Sequence, residues 1–161
     1  MKIGGIIMID KLNVKGKVTI KLINKDTGKV DYEKTIDNVM LINGAYCLMR
    51  GLTGKSPPTF TPTPADNIAL FDTNKNFVVG FGGTWGDIVD TGTSLQCTFT
   101  ATDSSSATYT FRYVGLHLPD VTTPAFETVY FANDRGSNIT KESNQILTIQ
   151  WTITIPYGSP P

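Results

Sequence analysis

Between positions 147 and 155 the chain reads Leu147-Thr148-Ile149-Gln150-Trp151-Thr152-Ile153-Thr154-Ile155, with apolar and polar residues alternating without a break. A strand turns successive side chains to opposite faces, so this spacing puts Leu147, Ile149, Trp151, Ile153 and Ile155 on one face and Thr or Gln on the other. Nearly all of these residues are β-branched or aromatic, shapes that suit a half-buried pleated surface. Pro156 has no amide hydrogen to give a ladder and ends the run. A strand of this kind demands a sheet laid over an apolar core, with Trp151 at its middle.

Other stretches repeat the pattern. Val18, Ile20 and Leu22 alternate with Lys17, Thr19 and Lys21, predicting a strand over 15–23. The loop Asn24-Lys25-Asp26-Thr27-Gly28-Lys29 has a glycine suited to positive φ, and Val30, Tyr32 and Ile36 return as the partner strand. Leu95, Cys97, Phe99 and Ala101 run toward the turn Thr102-Asp103-Ser104-Ser105-Ser106, and Ala107, Tyr109, Phe111 and Tyr113 run away from it. This reads as a second hairpin. Shorter strands are expected over 67–71, 76–81 and 127–132, with a loop over 133–143. Asn43 is expected to cap one short helix near 43–50 that carries Tyr46, Cys47 and Leu48, with Gly51 ending it. The proline-rich residues 55–64 read as a long surface loop. Eight or nine strands and one minor helix predict an all-β protein, a single antiparallel β-sandwich of jelly-roll or immunoglobulin-like topology. One domain over 1–161 is expected, with an N-terminal arm over 1–12 and a loose C-terminal tail over 157–161.

Charge narrows the function classes. Fourteen basic residues balance fourteen acidic ones, so there is no basic surplus for phosphate and no nucleic-acid partner is expected. No run approaches the roughly 20 apolar residues that span a bilayer, so no membrane insertion is expected. The apolar run after Lys2 is short and lacks a cleavage pattern, so the chain is expected to be made in a cytoplasm. Cys47 and Cys97 read as two buried free thiols.

Motifs for catalysis are missing. His117 stands alone in Val114-Gly115-Leu116-His117-Leu118, without companions for a zinc site. Gly80-Phe81-Gly82-Gly83 has no Gly-Lys-Ser/Thr and opens no helix, and no Gly-x-Ser-x-Gly occurs. Asp72-Thr73-Asn74-Lys75-Asn76 begins like a calcium loop but has Phe77 where glycine belongs and Gly83 where glutamate belongs. Asn138-Ile139-Thr140 matches the glycosylation triplet, a chance event in an Asn- and Thr-rich chain. No enzyme activity, metal or cofactor is therefore expected. Trp85, in a glycine-rich loop beside Asp87, is the ligand candidate: its ring could stack on a sugar while the carboxylate binds hydroxyls, or it could plug one end of the fold. Ile6, Ile7, Met8 and Ile9 form an apolar run that reads either as an edge strand of the domain or as an arm pairing with a neighbouring subunit's sheet edge.

Several of these segments, taken in order, carry a resemblance: Asp26-Thr27-Gly28 in the first hairpin, Asn38-Val39 with Asn43-Gly44 before the helix, Tyr113-Val114-Gly115-Leu116, and the closing strand through Trp151. Together they resemble small structural proteins of virus particles, those of tailed phages and archaeal viruses. Asn43 stands where that pattern commonly has Thr, and Pro156 ends the closing strand early. The resemblance implies a non-enzymatic virion component, such as a capsid decoration, turret, fibre or tail-associated protein, made in the host cytoplasm. It would form a homo-oligomer, a trimer or pentamer, in contact with other virion proteins. The alternative is a carbohydrate-binding module for host-surface glycans, centred on Trp85.

Overall fold

A computed structural model describes residues 14–56, 63–117 and 123–158. The elements in chain order are β1 (Lys15–Asn24), β2 (Val30–Asp37), β3 (Val39–Met40), α1 (Ile42–Thr53), β4 (Asn67–Phe71), β5 (Phe77–Trp85), β6 (Val89–Asp90), β7 (Ser94–Asp103), β8 (Tyr109–His117), a single 3-10 turn (Phe126–Thr128), β9 (Phe131–Lys141) and β10 (Gln145–Pro156). Every pairing is antiparallel. The strands run in the order β2-β1-β10-β7-β5-β4-β8-β9-β3, with β6 beside β7.

Strand β10 lies at the centre of one half. It pairs with β1 from Lys15↔Thr154 to Asn24↔Gln145, and with β7 from Leu147↔Asp103 to Pro156↔Ser94. Its face is as the alternation requires, with Leu147, Ile149 and Trp151 fully buried against Val18, Ile20 and Phe99. Each such side chain contributes about 1.5–3 kcal/mol on leaving water. On the outer face the threonines bond across strands, Thr98 to Thr152 at 2.8 Å and Thr19 to Thr35 at 2.7 Å.

The two halves are joined through β5, which pairs with β4 as far as Gly82 and with β7 from Gly83 to Trp85. Gly83 makes that passage possible: a Cβ there would lie 2.5 Å from the Thr100 carbonyl and 2.6 Å from the Phe99 ring. At the other side β2, one end of the sheet, faces β9, the last long strand before β3, and no backbone ladder joins them among the described residues. Side chains bridge them. Asn133 donates from Nδ2 to the Asp37 carbonyl at 2.7 Å, and Arg135, fully buried, donates to the carbonyls of Lys34 at 2.6 Å and Val18 at 3.1 Å. The result is an antiparallel sheet nearly closed into a barrel.

Some sequence expectations change. The first hairpin forms as read, with Gly28 at φ 67° and Asn24 Oδ1 accepting from the Asp26 and Thr27 amides. The second is not a hairpin. β7 pairs with β10 and β5, while β8 pairs with β4 and β9, so the residues between them arch from one half to the other. Lys141, fully buried, holds that arch by donating to the Ser105 carbonyl at 2.8 Å and the Ala107 carbonyl at 3.0 Å. Alternation fixes which face a strand buries; it does not choose the neighbour. The expected loop over 133–143 is mostly strand β9, disguised because Asn133, Arg135 and Lys141 face inward and bond backbone carbonyls. The helix is longer than 43–50. Leu41 occupies its N-cap without a side-chain bond, Asn43 instead donates to the Thr128 carbonyl at 2.9 Å, Gly51 is inside, and Gly54 in the left-handed conformation ends it. In the tail, Tyr157 bonds Asp90 and the Thr93 carbonyl, and residues 159–161 lie outside the described residues.

Candidate functional site

The start of β1, the end of β10, the start of β7 and the end of β8 come together at one end of the barrel, and α1 lies across it. The helix is held close by backbone. The Leu41 amide donates to the Tyr130 carbonyl at 2.9 Å, and a Cβ on Gly44 would sit 2.4 Å from that same oxygen. Tyr130 ties the segment that follows α1, donating from its hydroxyl to the Thr63 carbonyl at 2.8 Å and accepting the Thr63 amide at 3.2 Å. Burial pushes its phenol up to about 12, so it remains a neutral donor.

Beneath α1 the barrel end is not filled. A cavity of about 250 Å³ remains, with Cys47, Leu48, Trp85, Ile88, Cys97 and Ile153 among its walls. Trp85 donates its indole N–H to the Ala65 carbonyl at 2.6 Å and sets its ring edgewise against Phe99 at 5.3 Å. Both cysteines are free thiols. Burial raises the Cys47 thiol, against the opposing pull of Arg50, which keeps it protonated and a poor nucleophile. Such walls suit an aliphatic or aromatic group and offer no charge to hold a polar one.

The outer side of α1 is also apolar. At 100° per residue Gly44, Cys47 and Leu48 turn toward the barrel, Ile42, Tyr46 and Met49 turn away, and Leu52 lies on the shoulder. Only Gly44 is buried in the whole helix. Ile42, Met49 and Leu52 are 64%, 55% and 77% exposed, and Ile88, at the cavity's edge, is 71% exposed. Asn43 and Arg50 form a polar stripe between the inward and outward apolar residues, so the helix covers the barrel with one apolar side and has a second left open.

The residues singled out by sequence are dispersed. Trp85 is in the cavity wall, with its N–H directed inward to Ala65, and Asp87 is exposed in the loop before β6. Ile6, Ile7, Met8 and Ile9 lie outside the described residues. His117 is buried at the end of β8, and burial lowers its pKa to about 4, so its imidazole is neutral. Asp72 is occupied by its own turn, accepting from the Asn74 and Asn76 amides, and Asn138 accepts from Thr73 on the surface of β9. Among the described residues no group of three or more His, Cys, Asp and Glu could hold a metal ion, and no helix is long and apolar enough to cross a membrane. The outward stripe of α1 escapes the sequence because Ile42 and Leu52 lie outside the expected helix bounds of 43–50. Its signal is a segment whose apolar positions occupy two sides of a helix and leave only Asn43 and Arg50 between them.

No protein family, no curated protein and no solved structure matches this chain.

Proposed function

We propose that this chain is a non-enzymatic structural component of a virus particle, a capsid decoration, turret, fibre or tail-associated protein, that works by assembling with copies of itself and with other virion proteins. The observation that carries the assembly reading is α1, apolar on both sides and covered on one. On the face that α1 presents, burial of Ile42, Met49 and Leu52 is what the site can gain from a partner, while the polar side of this end lies at Lys15 and Lys17 of β1. The kind of particle rests on the resemblance of the strand segments noted above. We read the two halves of the sheet as layers of a jelly-roll or immunoglobulin-like sandwich in which β5 changes layer. A closed ring, trimeric or pentameric, is the arrangement that covers one such patch per copy without an open end.

The test is the mass in solution by light scattering over roughly a hundredfold range of concentration, since association is concentration-dependent. The wild type is expected to hold one symmetric oligomer, and a Met49→Asp, Leu52→Asp variant to be a folded monomer with an unchanged circular dichroism spectrum. A wild type that is monomeric throughout, or a variant that assembles equally well, overturns the assembly reading. A monomer that binds a glycan array, and loses that binding on Trp85→Ala, would establish the carbohydrate-binding alternative instead.

A further inference from the structure

We infer that the outer face of the sheet at the start of β1 is a binding site for an acidic oligosaccharide. The site shares no residue with α1 or with the cavity beside Trp85, so it goes beyond the assembly reading and stands apart from it. Here the surface is hollowed to about 420 Å³, inside the roughly 300–1,000 Å³ of sites for small molecules. Gly16, Val18 and Ile20 are buried, so Lys15, Lys17 and Thr19 turn outward. Register adds their neighbours: Thr154 lies opposite Lys15 and Gln96 opposite Thr154, while Thr152 lies opposite Lys17. Two of the hydroxyls are already fixed, Thr19 by Thr35 at 2.7 Å and Thr152 by Thr98 at 2.8 Å, so the floor is ordered before anything binds.

The lysines set the charge of the ligand. Among the described residues neither Lys15 nor Lys17 has an ion pair or a hydrogen bond from its ammonium, and the side chains of Thr154 and Gln96 have no partner either. Lys21, on the same face of β1, is by contrast neutralised by Glu33 at 3.1 Å. Asp37 is opposite Lys17 in register but makes no ion pair with it, and it lines an adjoining hollow rather than this one. Among the described residues no carboxylate lines the site. Two ammoniums on alternate residues of a strand spring from points roughly 6.8 Å apart, with hydroxyl and amide groups about 4.8 Å to the side. Ammoniums suit a carboxylate or sulfate; a hydroxyl and a carboxamide both donate and accept, as sugar hydroxyls require. No aromatic ring lines the hollow among the described residues, so neither a nucleic-acid base nor an uncharged sugar face finds a platform. An acidic oligosaccharide uses every group present. A carboxylate-rich peptide uses the two charges and leaves Thr154 and Gln96 idle.

Isothermal titration at low salt, where exposed charges are least screened, tests this with a sulfated heparin tetrasaccharide, a galacturonate tetrasaccharide, uncharged maltotetraose and a short polyglutamate peptide. At least one acidic sugar is expected to bind about tenfold or more tighter than maltotetraose and polyglutamate, and the tighter of the two tells sulfate from carboxylate. Lys15→Gln with Lys17→Gln should weaken binding by roughly tenfold to a hundredfold, for two charge-assisted bonds at a solvent-exposed site. Thr154→Val keeps the side-chain shape and should cost about threefold to tenfold, for one neutral hydrogen bond. Lys21→Gln should change affinity by less than about threefold, since Glu33 already holds that ammonium. All of these positions face outward, and an unchanged circular dichroism spectrum checks the fold of each variant. Equal binding of polyglutamate, a loss on Lys21→Gln as large as that of the double variant, or no binding of either acidic sugar overturns the inference. So does binding that survives the double variant and disappears on Trp85→Ala. An unchanged affinity in Thr154→Val reduces the site to charge alone and overturns the saccharide assignment.

Discussion

Arg135 bridges the seam between β2 and β9 where no ladder does, and its replacement gives the sharpest test of that role. The side chain is fully buried and donates three hydrogen bonds, to the Lys34 carbonyl at 2.6 Å, the Val18 carbonyl at 3.1 Å and Asn133 Oδ1 at 2.7 Å. Burial lowers its pKa from the ordinary arginine value, in opposition to the favourable contribution of Tyr32. Arg135→Met keeps much of the volume and removes all three donors. Each buried acceptor left alone costs about 1–3 kcal/mol, so the gross loss is roughly 3–9 kcal/mol. Against it stands relief of the guanidinium's desolvation, several kcal/mol in a low-dielectric site. The carbonyls of Val18 and Lys34 keep protein neighbours in the variant, so the gross loss stays at about 3–6 kcal/mol, and after the offset a net loss of about 1–3 kcal/mol is expected. With a urea m-value of about 2 kcal/mol/M, the unfolding midpoint should fall by roughly 0.5–1.5 M. Amide exchange of β2 should accelerate before that of β10, since β2 loses its cross-seam partner while β10 keeps both ladders. An Arg135→Met protein as stable as wild type, with β2 exchange unchanged, would refute the reasoning and show the seam to be closed by packing alone.

Two further perturbations follow from buried positions. His117 has a folded pKa of about 4 against an ordinary value of 6.5, so the unfolded chain binds the extra proton between those values. Its contribution is fully present above pH 6.5 and is lost as the pH falls toward 4, up to about 3 kcal/mol in all. Urea midpoints at pH 7, 5.5 and 4.5 should show that slope, and His117→Phe should flatten it; an equal slope in both proteins would assign it elsewhere. Asp72 and Asp134 have pKa values lowered from 3.8, Asp72 first by the Asn76 amide and Asp134 first by Arg112, so their loss comes at more acidic pH and separates from that of the histidine. Within α1, two glycines should respond with opposite sign. Gly44→Ala places a methyl 2.4 Å from the Tyr130 carbonyl and should lower the melting temperature by roughly 3–10 °C, for a cost of about 1–3 kcal/mol. Gly51→Ala meets nothing within 4 Å and should stabilise by about 0.5–1 kcal/mol through helix propensity. Thermal melts of the pair decide whether α1 is pressed onto the barrel as described.

What the sequence makes legible is face, not neighbour. The alternation at 147–155 correctly places Leu147, Ile149 and Trp151 in the core, and Gly28 marks the first turn. The same alternation around residues 95–113 suggests a hairpin, yet β7 pairs with β10, β5 and β6, and the residues after it form an arch whose carbonyls the buried ammonium of Lys141 satisfies. Strand β9 is illegible for a related reason. Asn133, Arg135 and Lys141 occupy inward positions that a hydrophobic pattern would fill with aliphatics, and their partners are carbonyls far away in sequence. The candidate site follows the same rule. Trp85 is visible as unusual, but its role depends on Ala65 and Phe99, which no local motif links to it.

The seam between β2 and β9 also limits what another chain could do at this edge of the sheet. A sheet with bare edges can grow by adding strands from any chain that is extended and nearby, a mode of joining that is promiscuous and hard to reverse. Here the carbonyls of Lys34, Ile36 and Asp37 on the outer side of β2 are engaged by Arg135 and Asn133. That stretch is therefore closed to foreign strands. Along that stretch an approaching chain would meet side chains rather than free backbone, and side-chain surfaces can be tuned residue by residue in a way that a ladder cannot.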